Sequence, residues 1–244
     1  HILMKTNTAI VICAAIIVCA FILGGAYKYK YKEQNTIVVT GLGEEEFVSD
    51  LIVWRGWIVV DNPSITDGYA QLEVNKRKVQ DFIMQKGIAP DDIVFMFVDS
   101  YKNTEPIYQN GNYVGQRFTG YTLRQRFTVE STDVEAVENI SREISALLAQ
   151  GVQLESSQPD YYYSKLDDLK LELIEKSTVD AKARAEKIAA KSGAKLRKLK
   201  TARMGVFQIT GANTNEEFSA GGNFNTSSKN KKARITMRLE YNIR

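Results

Sequence analysis

The sequence has almost no cysteine or histidine, which limits the chemistry available to the chain. Its two cysteines, Cys13 and Cys19, lie in the apolar N-terminal stretch, and its single histidine is His1. The rest of the chain therefore offers no Cys–His or Ser–His–Asp nucleophilic system and no ordinary structural zinc site. No disulfide can crosslink it. We expect no catalytic residues, no metal and no cofactor.

Acidic and basic residues are nearly balanced, which argues against a nucleic-acid partner. The 244 residues include 32 lysines and arginines and 29 aspartates and glutamates, for a formal net charge of +3. Binding to nucleic acid through bulk electrostatics requires a larger positive excess. We expect no nucleic-acid partner, and any site for an anion has to be local. With 44% hydrophobic residues, the chain can bury an ordinary globular core.

A long apolar stretch near the N-terminus predicts a membrane-spanning helix. No residue between Thr6 and Tyr27 is charged, and Ala9–Ala26 reads AIVICAAIIVCAFILGGA. A helix of this length crosses the roughly 30 Å of hydrocarbon in a bilayer. A surface helix of a soluble protein would have a polar face, which this stretch lacks. The predicted anchor residues are Ala9, Ile10, Val11, Ile12, Ile16, Ile17, Val18, Phe21, Ile22 and Leu23.

The sequence leaves two fates open for this N-terminal segment, residues 1–32. Small residues that end at Ala26 suit cleavage by a signal peptidase, whereas the length of the apolar run favours a retained signal-anchor. Charge does not settle the orientation, because Lys5 precedes the apolar run and three lysines follow it. We expect Met4 to be the natural start of the chain.

The rest of the chain, residues 33–244, is predicted to be one α+β body built on antiparallel sheets. Alternating and helical periodicities give the element order ββαββαβαββ. This order places hairpins between helices, which argues against a doubly wound parallel sheet. A division into two subdomains near residues 156–163 is left open.

Turn and cap residues set the predicted boundaries. Two strands in Ile37–Asp61 are expected to lie on either side of Gly41-Leu42-Gly43. The polar loop Gly211–Lys232 is too long for a tight turn and is expected to be mobile or ordered by a partner. The other predicted elements are a helix from Tyr69 to Gly87, a hairpin from Ile93 to Val129 that turns at Gln109–Asn112, a helix from Thr132 to Gly151, a strand at Val152–Tyr163, a helix at Leu166–Lys191, and two final strands around the polar loop, of which the last contains Ile235–Ile243.

A run of basic residues is the candidate site for an anion. Between Lys182 and Arg203 the chain has nine lysines and arginines but only one acid, Glu186. Such a run suits anionic lipid or glycan, but it is also typical of a solvated helix face and the strand that follows. The candidate anion-binding residues are Lys187, Lys191, Lys195, Arg197 and Lys198.

Two acidic clusters are the remaining places for acid–base or metal chemistry. They are Glu44-Glu45-Glu46 and Asp91-Asp92. Adjacent carboxylates on a strand point to opposite faces, and on a loop they are usually solvated. A hydrolase that relies on carboxylates alone is therefore the least favoured function.

Two tryptophans are candidate contacts between copies of the chain. Trp54 and Trp57 flank Arg55 on a predicted strand, a combination that is common at interfaces but equally consistent with a core. The final strand, Ile235–Ile243, has no proline and is expected to be an edge that another copy can pair with.

Two segments, in this order, resemble the SIMPL domain family. They are the strand opening Ile37–Gly43, with the pattern I-x-V-x-G-x-G, and the alanine-rich helix Asp180–Ala189 followed by Ser192–Leu196. Gly120-Tyr121 and the alternating final strand also fit the family. The resemblance implies a bacterial periplasmic or envelope-associated protein, with links to stress tolerance and ring-shaped self-assembly in some members. It brings no catalytic residues.

We therefore expect a structural or interaction protein of the envelope, tethered to the membrane and associated with itself in a closed ring. The expected location is the inner membrane, with a single pass and the body in the periplasm. The alternative location is the periplasm, after cleavage near Ala26. The alternative function is a module that binds anionic lipid or glycan through residues 182–203.

Overall fold

The computed structural model describes residues 2–30, 35–217 and 219–244. Its fold is α+β with antiparallel sheets, as predicted. It also contains two 3-10 segments, Pro90–Asp92 before the strand Ile93–Gln109 and Ile144–Gln150 after the helix Val134–Glu143. The elements are α1 (Ile2–Lys30), β1 (Thr36–Val48), β2 (Leu51–Asn62), α2 (Ile65–Gln85), β3 (Ile93–Gln109), β4 (Asn112–Ser131), α3 (Val134–Glu143), β5 (Gln153–Ser156), β6 (Asp160–Tyr162), α4 (Leu166–Lys191), β7 (Leu196–Met204), β8 (Gln208–Gly211) and β9 (Asn230–Ile243).

The chain divides into two compact units, each of which is discontinuous in sequence. The first unit contains α1, the start of β1, the C-terminal half of α4, nearly all of β7 and the end of β9. The second contains the remaining elements, and the predicted division near residues 156–163 falls inside it. The unit boundaries are His1–Thr40, Ala181–Arg203 and Arg238–Arg244 for the first unit, and Gly41–Asp180 and Met204–Met237 for the second.

A five-stranded antiparallel sheet forms the larger core, inside the second unit. Its order is β3-β4-β2-β5, and β6 also pairs with β2. Alternate residues of β2 point inward, where α2 and α3 cover the sheet, because side chains along a strand alternate between its two faces. Side chains from every layer are almost fully buried, among them Ile52, Trp54, Ile58, Leu72, Val79, Ile83, Leu123, Phe127, Val137 and Ile140.

The second sheet places β9 in its middle, which corrects the predicted edge. Its order is β1-β9-β7, and β8 also pairs with β9. Ile235–Ile243 therefore has neighbours on both sides, and its backbone is not free to pair with another copy. A smaller core lies against β8, β9 and the first half of α4, with buried side chains from Leu169, Leu173, Ile209, Ala233 and Ile235.

The predicted break at Gly41-Leu42-Gly43 is also wrong, because β1 runs through these residues and the chain turns at Ser49-Asp50. Packing against α4 requires a glycine at position 43. A Cβ there would collide with the carbonyl oxygen of Leu173 on α4, so only glycine allows this close approach of backbone to backbone.

Other boundaries follow their predicted signals. The helix predicted at Leu166–Lys191 is α4 itself. Gly151 ends the segment after α3 with a φ of 78°, a left-handed conformation that favours glycine. The hairpin turns at Asn110-Gly111, with φ values of 51° and 81°. Two differences concern strands: Val152–Tyr163 contains two strands, β5 and β6, and three strands rather than two follow α4.

Candidate interaction surfaces

Helix α1 presents a mainly apolar surface over its described side chains. Every side chain described in it, from Val11 to Lys28, is exposed. The stretch Val11–Lys28 is long and apolar enough to cross a membrane, which fits either a membrane anchor or a signal sequence. Eight of the ten predicted anchor residues lie in this stretch, and Ala9 and Ile10 precede it in the same helix.

Trp54 and Trp57 occupy different environments. Trp54 is fully buried, its ring contacts Phe127 edge-on at 5.2 Å, and its Nε1 donates a hydrogen bond of 3.0 Å to Ser156. Of the two roles that the sequence left open for Trp54, the structure therefore favours the core. Trp57 lies on the opposite, outward face of β2, partly covered by the guanidinium of Arg124 at 4.9 Å from its ring centre.

The outward face of the five-stranded sheet carries charges of both signs. Trp57 is opposite Arg126 in the register, and Arg124 pairs with Glu155. Next to them is an open depression of about 510 Å³. Because both acidic and basic side chains line the depression, it does not favour a ligand of either charge. Its charged and aromatic lining residues are Arg55, Asp91, Asp92, Arg126, Glu130 and Tyr162.

Strands β3 and β4 continue beyond the sheet as a two-stranded ribbon. β2 pairs with β4 only from Tyr121 onward, so within the described residues Asn112–Gly120 pairs with β3 alone. We call residues 103–120 the β3–β4 ribbon. Nine residues of strand extend roughly 30 Å. Sequence reasoning predicted the hairpin and its turn but not this projection.

The register puts aromatic residues on one face of the ribbon. Tyr108 is directly opposite Tyr113, with ring centres 6.2 Å apart, and Phe118 lies further along the same face, opposite Thr104. The exposed fractions of Tyr108, Tyr113 and Phe118 are 65%, 59% and 49%. The other face carries a salt bridge of 2.8 Å between Arg117 and Glu105. An exposed apolar face of this kind usually marks an interaction site.

Basic side chains pair with the glutamates of Glu44-Glu45-Glu46. Glu44 and Glu46 share Lys232, at 3.7 and 3.4 Å. Glu45 points to the opposite face, where it pairs with Lys176. Among the residues that the structure describes, no group of three or more His, Cys, Asp or Glu side chains could hold a metal ion. The geometry therefore brings Glu44 and Glu46 to one lysine and directs Glu45 to the other face.

The five predicted anion-binding residues are all exposed and belong to the first unit. Lys187 and Lys191 lie on the C-terminal half of α4, Lys195 lies in the turn that follows, and Arg197 and Lys198 begin β7. β7 is the end strand in the order β1-β9-β7. Because side chains alternate along a strand, Arg197 and Lys198 point to its opposite faces.

A buried lysine in the second unit is a feature that sequence reasoning missed. Lys231 is 2% exposed, and its Nζ donates hydrogen bonds to the backbone carbonyl of Asn225 and, at 3.4 Å, to its Oδ1. Burial lowers the pKa of Lys231 to about 8, although the negative charges of Glu216 and Asp160 oppose the drop. Glu216 accepts hydrogen bonds from Gly211 N, at 2.9 Å, and Asn225 Nδ2, at 2.5 Å.

This network lies in the described part of the predicted polar loop. The loop residues Glu216 and Asn225 bond to each other and to the ends of β8 and β9. The alternation of β9 places Lys231 on the same face as the buried Ala233 and Ile235, and this is the sequence signal that could have identified it.

A second polar cluster joins the two cores of the second unit. Tyr161 donates a hydrogen bond of 2.7 Å to Glu138 on α3, which also pairs with Lys229 at 3.0 Å. Burial and the bond to Glu138 raise the pKa of Tyr161 to about 12. Burial alone would raise the pKa of Glu138, but hydrogen bonds from Tyr161 and Lys229 outweigh it and lower that pKa. All three groups are paired, which is typical of a structural network.

Comparison with known proteins gives one finding. The model of the SIMPL family, described as a protein of unknown function (DUF541), matches residues 37–240, which span nearly all of β1 through β9. The resemblance drawn from Ile37–Gly43 and Asp180–Ala189 is thereby confirmed. No curated protein matches the chain.

Proposed function

Since the chain belongs to the SIMPL family, whose function is unknown, we propose that it is a membrane-anchored assembly protein of the bacterial cell envelope. In this proposal α1 remains in the inner membrane as a single-pass anchor and the body lies in the periplasm. Copies associate through the aromatic face of the β3–β4 ribbon. The role is structural, a contribution to the envelope or to stress tolerance, rather than catalytic.

The observation that supports this proposal is the exposed aromatic face of the ribbon. Tyr108 and Tyr113 are exposed near the end of the projection. A two-stranded ribbon is marginally stable by itself in water, because it has no second layer to bury its apolar face. Contact with another surface would bury these rings and stabilise the ribbon.

A second copy of the chain is the occupant that we propose for this face. Self-assembly in some relatives is what the resemblance to SIMPL implies, and identical contacts repeated around an axis close into a ring. On the β3 side of the ribbon, contact through the face is favoured over pairing of the strand edge, because Pro106 removes a backbone donor from β3.

The experiment is a mass measurement on the full chain in detergent micelles by light scattering. We expect the natural protein to form an oligomer at micromolar concentration, and the double variant Tyr108→Ser, Tyr113→Ser to be a monomer with an unchanged circular dichroism spectrum. The matched control is Tyr69→Ser, which removes a tyrosine that is similarly exposed on α2.

Two outcomes would contradict the proposal. One is a natural protein that is monomeric at every salt concentration. The other is a double variant with the mass of the natural oligomer, which would place the contact between copies elsewhere on the chain.

A further inference from the structure

The first unit brings the basic residues to the end of the sheet where the N-terminal segment enters. The N–H of Ile243, at the end of β9, donates a hydrogen bond of 2.9 Å to the carbonyl of Asn35. On the other side of β9, Arg244 and Lys195 exchange backbone hydrogen bonds of 2.8 and 3.0 Å. Lys195 is thus two strand spacings, roughly 10 Å, from Asn35.

The length of the connecting chain limits the distance between this end of the sheet and α1. Five residue steps separate Lys30, the last residue of α1, from Asn35. Even fully extended, they span at most about 18 Å. If α1 crosses a bilayer, the end of the sheet at Asn35 therefore lies within that distance of the headgroup region into which Lys30 extends.

The cations at this end of the sheet lack acidic partners. Lys191, Lys195, Arg197 and Lys198 are exposed, and within the described residues none of them lies within 4.0 Å of a carboxylate oxygen. The segment 187–204 contains no aspartate or glutamate. By contrast, other lysines of the same run are paired, Lys182 with Glu186 at 3.9 Å and Lys200 with Glu240 at 3.0 Å.

An open depression lies beside these cations. Its volume is about 680 Å³, and Arg197, Lys198, Asn242 and Ile243 line it. Arg197 and Lys198 reach it from opposite faces of the end strand β7, and a cationic side chain beside the amide of Asn242 offers hydrogen-bond donors that suit the oxygens of a phosphate group. The depression is large enough for the headgroup of a phospholipid.

We propose that Lys191, Lys195, Arg197 and Lys198 bind the anionic phospholipid headgroups of the membrane that holds α1. The lipid surface is chosen over a soluble anion because the short connection keeps these cations close to it. Each lysine or arginine near an anionic surface favours binding by roughly fivefold. The inference rests on the retained anchor of the proposed function.

Lysine acylation of the full chain in lipid nanodiscs tests this inference. One set of discs contains only zwitterionic phosphatidylcholine, and the other contains an added share of anionic phosphatidylglycerol. We expect acylation of Lys191, Lys195 and Lys198, measured by mass spectrometry, to be about fivefold slower in the anionic discs. Acylation of Lys102, an exposed lysine of the second unit, should not change. High salt should remove the difference, because it screens exposed charges.

The variant Arg197→Gln, Lys198→Gln removes two of the four cations, so Lys191 and Lys195 should lose most of their protection in anionic discs. Equal acylation of the three lysines in both kinds of disc would overturn the inference. Protection by a soluble polyanion in zwitterionic discs, without any protection in anionic discs, would assign these cations to a soluble anion and would also overturn it.

These outcomes are distinct from a failure of the proposed function. If the segment is cleaved in cells, the anchor proposal fails, yet the contrast between the reconstituted discs is still measurable. If the Tyr108→Ser, Tyr113→Ser variant keeps its oligomeric mass, the ribbon proposal fails without any change in lysine protection.

Discussion

Trp54 and Trp57 are three residues apart on β2, and their side chains point to opposite faces of the sheet. We expect Trp54→Ala to lower the free energy of unfolding by about 3–5 kcal/mol, because it leaves a large cavity beside Phe127. Trp57→Ala should cost about 1 kcal/mol or less, since it removes mainly the contact with Arg124. Urea denaturation of the body measures both values, and equal losses would contradict this assignment.

Lys231 gives the second unit a dependence on pH in mildly alkaline solution. Its folded-state pKa is about 8, whereas a lysine in an unfolded chain titrates near about 10.4. Between these values the unfolded state binds the proton more tightly, so the contribution of Lys231 to stability rises with pH. At neutral pH the cost of burying the charged ammonium is present in full.

The measurement is the free energy of unfolding of the natural protein relative to Lys231→Met. The free energy of unfolding of the natural protein minus that of the variant should rise by about 2 kcal/mol between about pH 7 and about pH 9.5. The methionine variant cancels the contribution of the other titrating groups. A difference that is constant with pH would show that the ammonium is not held at a lowered pKa.

At the scale of the elements, local signals predict α4 better than they predict the sheets. Apolar spacing and the glycine at 193 mark the helix, and both are properties of neighbouring residues. The alternation in β9 is equally clear, yet it only tells which residues share a face. Which strands lie beside β9 depends on residues distant in the sequence, so its central position could not be read from the pattern.

The role of the glycines in β1 and the projection of the ribbon also depend on residues that are distant in the sequence. A glycine in a strand can mark a turn, a bulge or a close approach, and the partner of Gly43 is the backbone of Leu173, 130 positions later in the chain. The Asn110-Gly111 turn predicted the hairpin. The length by which the hairpin projects depends on where β2 stops pairing with β4. That point cannot be predicted from the sequence of either strand alone.

At the scale of the whole molecule, the family and the α+β class could be predicted, whereas the surfaces proposed for interaction could be predicted only in part. The basic residues are visible as a run in the sequence. Their position beside Asn35 follows from the pairing of β9 with β1 and β7. The aromatic face follows from the register of two strands, and the sequence shows only its separate residues.

The proposed retention of α1 in the membrane can be tested in cells. We expect the full chain to remain in the membrane fraction after an alkaline carbonate wash, because the 18 residues Val11–Lys28 bury far more apolar surface in the bilayer than a peripheral contact does. Protease added to spheroplasts should digest the body. A soluble mature protein that begins near Tyr27 would contradict retention, and a protected body would reverse the orientation.

The short connection between Lys30 and Asn35 also changes how strongly the ribbons need to bind one another. If α1 is retained, each chain is tethered to one surface by a connection of at most about 18 Å, so copies meet in a thin layer instead of a volume. Such confinement raises the effective concentration of each copy for the next. A short linker has the same effect on two tethered modules, whose effective concentration for each other reaches the millimolar range. The ribbon contact that we expect to see in micelles at micromolar concentration should then be saturated on the membrane at a lower overall amount of protein.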